Sequence, residues 1–404
     1  MSAYGPETRK SPEWREAEVR FNQLHLSSSF TIIGVSPMPG VSFEELDREV
    51  EEILEVCPRF FPALFHRGEY LLRAGKIAEG EKFIDRACDA LAEIVENEQE
   101  FRQKLSFRIE NLEKLLRYDL AARCLEKAVR LFPDTPEFYD DLAFCLLQFP
   151  SQDKNRALRM QQQAIEIDPD DDFFINNLGW VYLVMGNFKE AEMCFRKAMD
   201  FNIDHPSAFK NLDMVEYMQE HRMDYFHYLL RPADLKELDM LLEERAGEEA
   251  AELCADYNAD RVEAFKIHHL EKGTLPPHEI LNILQPFEMF MNWLGEEAQN
   301  EIFLFENIKL WHEKAGQYFI QFIFSSDSIE ELFLEDLKRS LTVFYDFLLE
   351  MDVLTAAGHK QYLDNVIPLM GKLAAKMDEF HRLRLDVTLD EGEREESIRR
   401  LFGI

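Results

Sequence analysis

Small and aromatic residues recur at fixed spacings in the first half of this 404-residue chain. Residues 176–199 read NNLGWVYLVMGNFKEAEMCFRKAM, and a Gly-Asn pair divides them into two apolar-periodic segments. This pattern predicts one helix that ends near the pair and a second that begins after it. Ala191, Phe195 and Ala198 follow at spacings of four and three, so the small residues allow close approach of the helices while the ring fills the space between them. We predict a helical hairpin, which needs neighbouring hairpins to bury its apolar faces.

The same pattern recurs upstream. In each copy of the pattern the first residue of the spaced set is small or apolar. From one copy to the next this residue is displaced by 34 (80 − 46), 41 (121 − 80), 36 (157 − 121) and 34 (191 − 157) residues. A nearly constant period predicts a stacked array of hairpins, with the longer intervals taken up by loops or helix ends. FPSQDKN, at 149–155, is one such lengthened turn. The five recurring positions are Leu46, Gly80, Ala121, Ala157 and Ala191.

Composition favours helices throughout the chain. Gly and Pro number only 16 each, which disfavours an all-β chain with many tight turns. Hydrophobic residues make up 46%, including 33 Phe, so the chain has ample core material and is not disordered as a whole. We therefore predict an all-α protein with an N-terminal helix and extended strap at 1–40, the array at 41–220 and a second helical domain at 221–404.

The hairpin pattern resembles the tetratricopeptide repeat, down to Phe188 and Glu190 ahead of Ala191. Two of the four separations equal the 34-residue period of that family. The resemblance implies a tetratricopeptide-like helical-hairpin solenoid over about 41–220. In the unit that begins at Pro206, Asp213 replaces the glycine, and no second helix of family type follows. Loss of the pattern in a terminal repeat is typical of a cap or a junction with another domain.

Two segments have less regular patterns. The sequence at 26–40, LSSSFTIIGVSPMPG, is the least helical part of the first half, and we interpret it as an extended strap on the first hairpin. Beyond residue 220 helical signals continue without the repeat. GQYFIQFIF, at 316–324, alternates partially and could be either a short strand or part of a helix.

In tetratricopeptide arrays the first helices of the hairpins line a concave groove. The resemblance implies that Asn177 and Asn211, in equivalent places 34 residues apart (211 − 177), hold a ligand backbone, and that Asp140 and Asp141 select basic side chains. Alternatively the asparagines are solvated, and Trp180 packs on a neighbouring hairpin. The predicted partner-binding residues are Phe65, His66, Glu69, Asp140, Asp141, Phe144, Phe173, Asn176, Asn177, Trp180, Lys210 and Asn211.

A known subtype of the family binds chaperone tails through a carboxylate clamp of Lys, Asn and Arg. Of the corresponding places in this chain only Asn177 fits, while Glu137, Asp140 and Asp141 would repel a carboxylate. The resemblance to that subtype is therefore poor.

The charge of the chain and its cysteines indicate which classes of partner and which cellular compartment to expect. A formal charge of −33 repels phosphates, so we expect neither nucleic acid nor membrane as a partner, and a monomer or weak oligomer. Six scattered cysteines without a C-x-x-C pair predict free thiols in a reducing compartment. The polar N-terminus predicts no signal peptide, and no apolar run is long enough to span a bilayer. These features predict a cytoplasmic protein.

No catalytic, cofactor-binding or metal-binding motif is apparent. Phosphate-binding glycine loops, the G-x-S-x-G elbow and H-E-x-x-H are absent. His268 and His269 are adjacent, hence about 100° apart on a helix, which predicts surface histidines and not paired ligands. We expect no cofactor and no enzymatic activity.

The sequence therefore favours a protein-interaction scaffold whose groove accepts a basic or apolar segment of a partner polypeptide. An alternative is a regulatory or sensor protein, in which residues 221–404 bind a small ligand and the array contacts an output partner. A third class is an enzyme with its site in the C-terminal half. A pocket with convergent polar groups after residue 230 would favour the second or third class.

Overall fold

The computed structural model describes residues 6–27, 43–148, 153–297, 302–325 and 333–403. Within these ranges the chain forms helices and turns and contains no strand, which confirms the all-α prediction. In the same ranges no helix combines the length and apolar character that crossing a membrane requires. The chain divides into two compact units, Met1–Tyr225 with Leu270–Glu279, and Phe226–His269 with Ile280–Ile404.

The first unit is built from helical pairs. After a 3-10 helix at Pro6–Lys10, eleven α-helices follow in the described part of this unit. They pack as the hairpins α1/α2, α3/α4, α5/α6, α7/α8 and α9/α10, with α11 after the last pair. Their bounds are α1 (Pro12–Ser27), α2 (Phe43–Val56), α3 (Phe61–Arg73), α4 (Ile77–Ile94), α5 (Glu98–Lys114), α6 (Tyr118–Leu131), α7 (Pro136–Leu147), α8 (Lys154–Ile167), α9 (Asp172–Val184), α10 (Phe188–Phe201) and α11 (Ala208–His221).

Close packing inside a hairpin explains the small residues of the repeat. A Cβ atom on Gly179 would lie 2.6 Å from Cε1 of Phe195, so the glycine makes room for the ring. Phe195 is fully buried, and so are Ala191 and Ala198 on the same helix. The predicted contact between α9 and α10 is therefore confirmed, and with it the solenoid of helical hairpins.

The longest repeat interval has a simple structural cause. α4 has 18 residues and α5 has 17, whereas α6, α8 and α10 have 14 each. The interval of 41 exceeds 34 by seven residues, close to two helical turns, so the added length preserves which side chains face the neighbouring helix. Of the lengthened turn at 149–155, residues 149–152 lie outside the described residues.

Both ends of the array differ from its middle. At the N-terminus, Trp14 and Phe21 of α1 are buried against Phe60, with ring centroids 4.9 and 5.6 Å apart. Of the strap predicted at 26–40, residues 26 and 27 belong to α1, and the remainder lies outside the described residues. At the other end, α11 terminates at Arg222, which adopts a positive φ of 54°. Most exposed residues of α11 are polar, as expected for a helix that caps the array, although Phe209 is 60% exposed.

The second unit is also helical. Its chain includes residues of nine helices, two of which, α14 and α15, extend into the segment Leu270–Glu279 of the first unit. Their bounds are α12 (Tyr225–Leu229), α13 (Leu235–Glu243), α14 (Gly247–Lys272), α15 (Pro277–Glu297), α16 (Ile308–Ser325), α17 (Phe333–Glu350), α18 (Ala356–Ala374), α19 (Met377–Leu385) and α20 (Glu391–Phe402).

The strand considered at 316–324 is wrong, because these residues lie inside α16. Within 316–324 the buried residues are Tyr318, Phe319, Phe322 and Ile323. Their spacings of one, three and one follow the 3.6-residue period of a helix, and the apparent alternation came from the glutamine between two such pairs.

Aromatic rings form the core of the second unit. Phe287 packs on Phe344 with ring centroids 4.2 Å apart, and Phe305 lies 5.1 Å from Phe287. Asn258 of α14 donates to the carbonyl of Phe303 at 2.8 Å and accepts from the amide of Phe305 at 3.0 Å, which holds the segment before α16 in place. These contacts agree with the expected bulky helical core.

A buried cationic side chain organises another part of this unit. The Arg261 guanidinium is fully buried and donates to the carbonyls of Leu229 and Arg231 at 2.5 and 2.6 Å, and to Glu306 at 3.1 Å. His268, which was predicted to be exposed, is instead 4% exposed and packs 5.1 Å from Phe347. A histidine ring has a large apolar area, and here it completes an aromatic cluster.

The prediction that all cysteines are free is wrong for one pair. Cys88 of α4 and Cys124 of α6 form a disulfide between the second helices of consecutive hairpins. Sequence spacing gave no sign of this pairing, because the cysteines are 36 residues apart and meet only when the hairpins stack. The four others are free thiols, namely Cys57, Cys145, Cys194 and Cys254.

Candidate partner-binding face

Helices α3, α5, α7, α9 and α11 are the first helices of successive repeats. The predicted binding residues lie on all of them except α5. The structure divides these residues into three groups, which are buried, bonded to one another, or exposed. We call the surface formed by the second and third groups, with their neighbours on α5, the first-helix face. Its residues are Phe107, Glu113, Asp140, Asp141, Phe144, Phe173, Asn176, Asn177, Trp180, Lys210 and Asn211.

Glu69 of α3 belongs to the buried group. Its carboxylate is fully buried and lies 3.3 Å from the Arg108 guanidinium, and it accepts from the Asn111 amide at 3.4 Å. Burial raises the pKa of Glu69, while the Arg108 charge acts in the opposite direction. Glu69 therefore binds the next hairpin and offers no surface to a partner in this structure, contrary to the predicted exposure.

Phe65 and His66 are buried as well. Phe65 is fully buried, with the Arg108 guanidinium 5.5 Å from its ring centroid. His66 is 6% exposed and lies 5.9 Å from the ring of Phe21 in α1. The N-terminal helix and α5 thus cover the part of α3 that the resemblance assigned to the groove.

Asp140 of α7 is bonded to the following repeat. Its half-buried carboxylate accepts two hydrogen bonds of 3.0 Å from the Asn177 amide and one of 2.6 Å from Gln161. Burial raises the pKa of Asp140, although the hydrogen bonds from Asn177 and Gln161 favour the ionised form. Gln161 is buried and also donates to the carbonyl of Phe174 at 3.1 Å, so it joins α8 to both first helices.

The asparagines continue this arrangement. The Asn176 amide donates to Asn177 at 3.2 Å, and the Asn211 amide donates to Asn176 at 3.1 Å. Together with Asp140 they form a polar ladder that joins α7, α9 and α11. The donors of Asn177 and Asn211 are thus engaged within the protein, and they are not solvated as one alternative had it. A role in holding a ligand backbone stays a prediction.

Three carboxyl groups lie between α5 and α7. Burial, followed by the charges of Asp140 and Glu113, raises the pKa of Asp141 to about 7, against the influence of Arg102. Burial also raises the pKa of Glu113, which accepts a weak hydrogen bond from the Cys145 thiol at 3.6 Å. We call Glu113, Asp140 and Asp141 the carboxyl cluster. Asp141 forms no hydrogen bond or ion pair with the described residues, and Arg102 offsets its raised pKa only in part.

Exposed aromatic rings lie on α5, α7 and α9. Phe107, Phe144 and Phe173 are 55%, 41% and 50% exposed, which is unusual for large apolar side chains in the middle of an array. Trp180 is half-buried, with its ring centroid 5.1 Å from that of Tyr225, so it packs on the segment that follows α11. Lys210 is exposed on α11.

Phe107 was missed in the sequence, although the repeat contains the signal. Counting one 34-residue period back from Asp141 reaches it (141 − 34 = 107). The hairpin α5/α6 contributed no residue to the predicted set. In the structure the guanidinium of Arg108 lies 5.0 Å from the ring of Phe107 and pairs with Glu69.

The first-helix face therefore combines exposed rings with carboxyl groups that form no ion pair with the described residues. Such a surface suits a ligand with apolar and basic side chains, because rings attract cations through their faces and carboxylates through charge. In the described part of the chain no cluster of three or more histidine, cysteine or acidic side chains has the geometry of a metal site.

Comparison with known proteins agrees with the repeat pattern. Residues 160–193, from α8 into α10, match the tetratricopeptide-repeat family model. No curated protein matches the chain. Together with the stacked hairpins, this match identifies the chain as a tetratricopeptide-like protein.

Several solved structures are similar at low identity. YrrB, described as a TPR protein with an unusual peptide-binding site, is 21% identical over 49% of this chain and 89% of its own, with a TM-score of 0.33. MamA from Desulfovibrio magneticus RS-1 is 18% identical over 49% and 99%, with a TM-score of 0.32. The TPR domain of P58(IPK) is 13% identical over 89% and 88%, with a TM-score of 0.26.

Proposed function

We propose that this tetratricopeptide-like protein is a non-enzymatic scaffold, and that its first-helix face binds a partner polypeptide segment with basic and apolar side chains. The observation that supports this proposal most strongly is that α5 and α7, the two helices that carry the carboxyl cluster, also carry the exposed rings of Phe107 and Phe144. Neither feature is needed for the stability of the array. Exposed rings lose the benefit of burial, and close carboxyl groups repel each other.

The physical logic of binding follows from these two features. A lysine or arginine of the partner placed near Asp141 would replace the missing countercharge and favour the ionised carboxyl. Apolar side chains of the same segment would cover Phe107, Phe144 and Phe173, which supplies the buried area that interfaces require. Charge would mainly set specificity and on-rate, while the rings would set residence time.

The remaining functional assignments follow the charge of the whole chain. With a formal charge of −33, the protein is expected to avoid nucleic acid and anionic membranes and to remain a monomer or weak oligomer. We place it in the cytoplasm, where most cysteines are free, as Cys57, Cys145, Cys194 and Cys254 are here.

Selection of peptides from a random displayed library on the immobilised full-length chain tests this proposal. We expect enrichment of peptides that combine Lys or Arg with Phe, Trp or Leu, and weaker capture as salt is raised, because salt screens the carboxylates. Enrichment of acidic peptides, or recovery of the starting composition, would contradict the proposal.

A charge-matched pair of variants locates the binding site. Asp141→Asn at pH 8 should weaken binding of a selected basic peptide about tenfold, since a charge-assisted contact is lost. Asp200→Asn removes the same charge from an exposed position of α10, a second helix, and should leave the affinity unchanged. If both variants bind like the wild type, the carboxyl cluster takes no part in recognition.

A further inference from the structure

The disulfide Cys88–Cys124 connects two neighbouring hairpins of the array. It joins α4 to α6, the second helices of two consecutive hairpins, and its cysteines are 3% and 2% exposed. The other four cysteines are free, including the buried Cys57 and Cys145. A protein whose fold depends on disulfides pairs most of its cysteines, so a single bridge among free thiols suggests a specific task for this pair.

Ion pairs also connect these two helices. Arg123 donates to Asp85 at 3.2 Å, and Lys127 donates to Asp89 at 2.6 Å, so a row of ion pairs runs beside the disulfide. In both pairs the acidic side chain is well exposed, at 41% and 60%, and such surface ion pairs contribute little to stability. Arg117, at the N-cap of α6, is 6% exposed and donates to Glu81 of α4 at 2.5 Å. The disulfide is the covalent connection between the second helices of these hairpins, and its loss would leave only these ion pairs and apolar packing to hold them.

The first helices of the same hairpins are joined differently. Glu69 of α3 and Arg108 of α5 form an ion pair in which the carboxylate is fully buried. This contact does not depend on the redox state of the cysteines. Loss of the disulfide would thus loosen the second helices while the first helices remain held together.

We propose that Cys88 and Cys124 form a redox-controlled clamp, which locks the hairpins α3/α4 and α5/α6 together when oxidised and releases their second helices when reduced. In a stacked array each hairpin depends on its neighbours, so the stability of one interface can change without unfolding the rest. The clamp acts on the stability of the array and is independent of which ligand the first-helix face binds.

The chemistry is thiol–disulfide exchange with a low-molecular-weight disulfide such as oxidised glutathione. The thiolate of one cysteine attacks a sulfur of oxidised glutathione, forming a mixed disulfide and releasing one glutathione. The thiolate of the second cysteine then attacks the protein-bound sulfur and releases the second glutathione. Two protein thiols are oxidised, one glutathione disulfide is reduced, and the two protons end on the two glutathione thiols. Because both sulfurs are buried, exchange requires local opening between α4 and α6.

Counting thiols tests whether the clamp forms. Full-length protein is incubated with oxidised or reduced glutathione and is then denatured in the presence of an alkylating agent, which labels free thiols. Mass spectrometry then counts the alkyl groups on each molecule. We expect four alkylated cysteines after oxidation and six after reduction, with peptide mapping assigning the difference to Cys88 and Cys124. Six alkylated cysteines in both states, or bridging of a different pair, would overturn the proposal.

Hydrogen exchange tests what the clamp does. On reduction, amides of α4 and α6 should lose protection on the order of 100-fold, the effect expected for a loop of this size, while α9 and α10 keep theirs. The Cys88→Ser/Cys124→Ser variant should behave like the reduced wild type in either buffer. Cys194→Ser, which removes a free thiol of α10, is the matched control and should keep the redox response. Unchanged protection of α4 and α6 in the reduced wild type, or an equal loss along the whole array, would overturn the proposal.

Discussion

Asp140 illustrates how a polar residue on the first-helix face serves the protein itself. Its carboxylate accepts hydrogen bonds from Asn177 and Gln161, so burial costs it less than it would cost an unpaired acid. Asp141, the next residue, has no such donors and its pKa rises to about 7. Two adjacent aspartates therefore differ in environment, since one is hydrogen-bonded to the next repeat and the other is the residue that we propose contacts a ligand.

Replacing Asp141 by Asn should stabilise the protein in a pH-dependent way. The pKa of Asp141 is raised from 3.8 to about 7 by folding, so the native state holds a proton that the unfolded chain loses. This contribution is favourable at low pH and is lost as the pH rises from about 4 to about 7. Asp141→Asn should thus raise the free energy of unfolding by about 1–2 kcal/mol at pH 8, after allowance for partial exposure, and by less at pH 5.5.

Urea denaturation at the two pH values measures this difference. Asp200→Asn, at an exposed position of α10, controls for the general benefit of removing one negative charge from an acidic protein. A gain for Asp141→Asn that is no larger than the control's, or that grows as the pH falls, would contradict the assigned environment.

The polar ladder makes an opposite prediction for a neighbouring residue. Asn177→Ala removes two donors from the half-buried Asp140 carboxylate and should lower the free energy of unfolding by about 1–3 kcal/mol. Asn155→Ala, at an exposed helical position of α8, should change it by less than about 0.5 kcal/mol. Equal denaturation midpoints for the two variants would show that the ladder does not stabilise the stack.

The sequence predicted which residues lie on the first helices, but it did not predict which side chains those residues contact. The repeat places Asp140, Asn177 and Asn211 on first helices, and the structure agrees. It gives no information on whether a neighbouring repeat supplies a partner, as Arg108 does for Glu69. That depends on residues about 35 to 40 positions away, whose contact is decided by the stacking geometry.

At the level of single elements, the helical hairpin depends on glycine and alanine at the positions where its two helices make contact. Gly179 lies against the fully buried Phe195, where an added Cβ atom would lie 2.6 Å from Cε1 and 2.8 Å from Cδ1 of the ring. The sequence predicted this contact because its signal is local, within about 20 residues. The strand considered at 316–324 failed for the converse reason, since a short aromatic run has no local feature that separates strand from buried helix.

A pair of glycine substitutions tests the hairpin contact. Gly179→Ala should lower the stability of α9 and α10 by about 1–3 kcal/mol through overpacking. Gly371→Ala, inside α18 with open space around the added Cβ atom, should instead stabilise its helix by up to about 1 kcal/mol. Hydrogen exchange of each helix measures both effects. Stabilisation of α9 by Gly179→Ala would contradict the close approach of the helices.

For the whole molecule, composition predicted the fold class and missed the covalent connection. Helix-forming residues and few glycines and prolines were sufficient to predict an all-α chain. The disulfide between α4 and α6 was not predictable, because the two cysteines come together only through the stacking of whole hairpins. The proposed class of partner also depends on how whole hairpins stack, because the residues of the carboxyl cluster come from two different hairpins.

The central claim is that the first-helix face is the binding surface of this protein. Calorimetric titration of the full-length chain with the most enriched basic–aromatic peptide tests it directly. Phe107→Ala/Phe144→Ala should weaken the affinity about 10–100-fold, because two exposed rings are removed from the face. Phe201→Ala/Ile203→Ala removes side chains that are 49% and 82% exposed at the end of α10, and should bind like the wild type. Equal dissociation constants for the three proteins, or a loss confined to the α10 variant, would contradict the account.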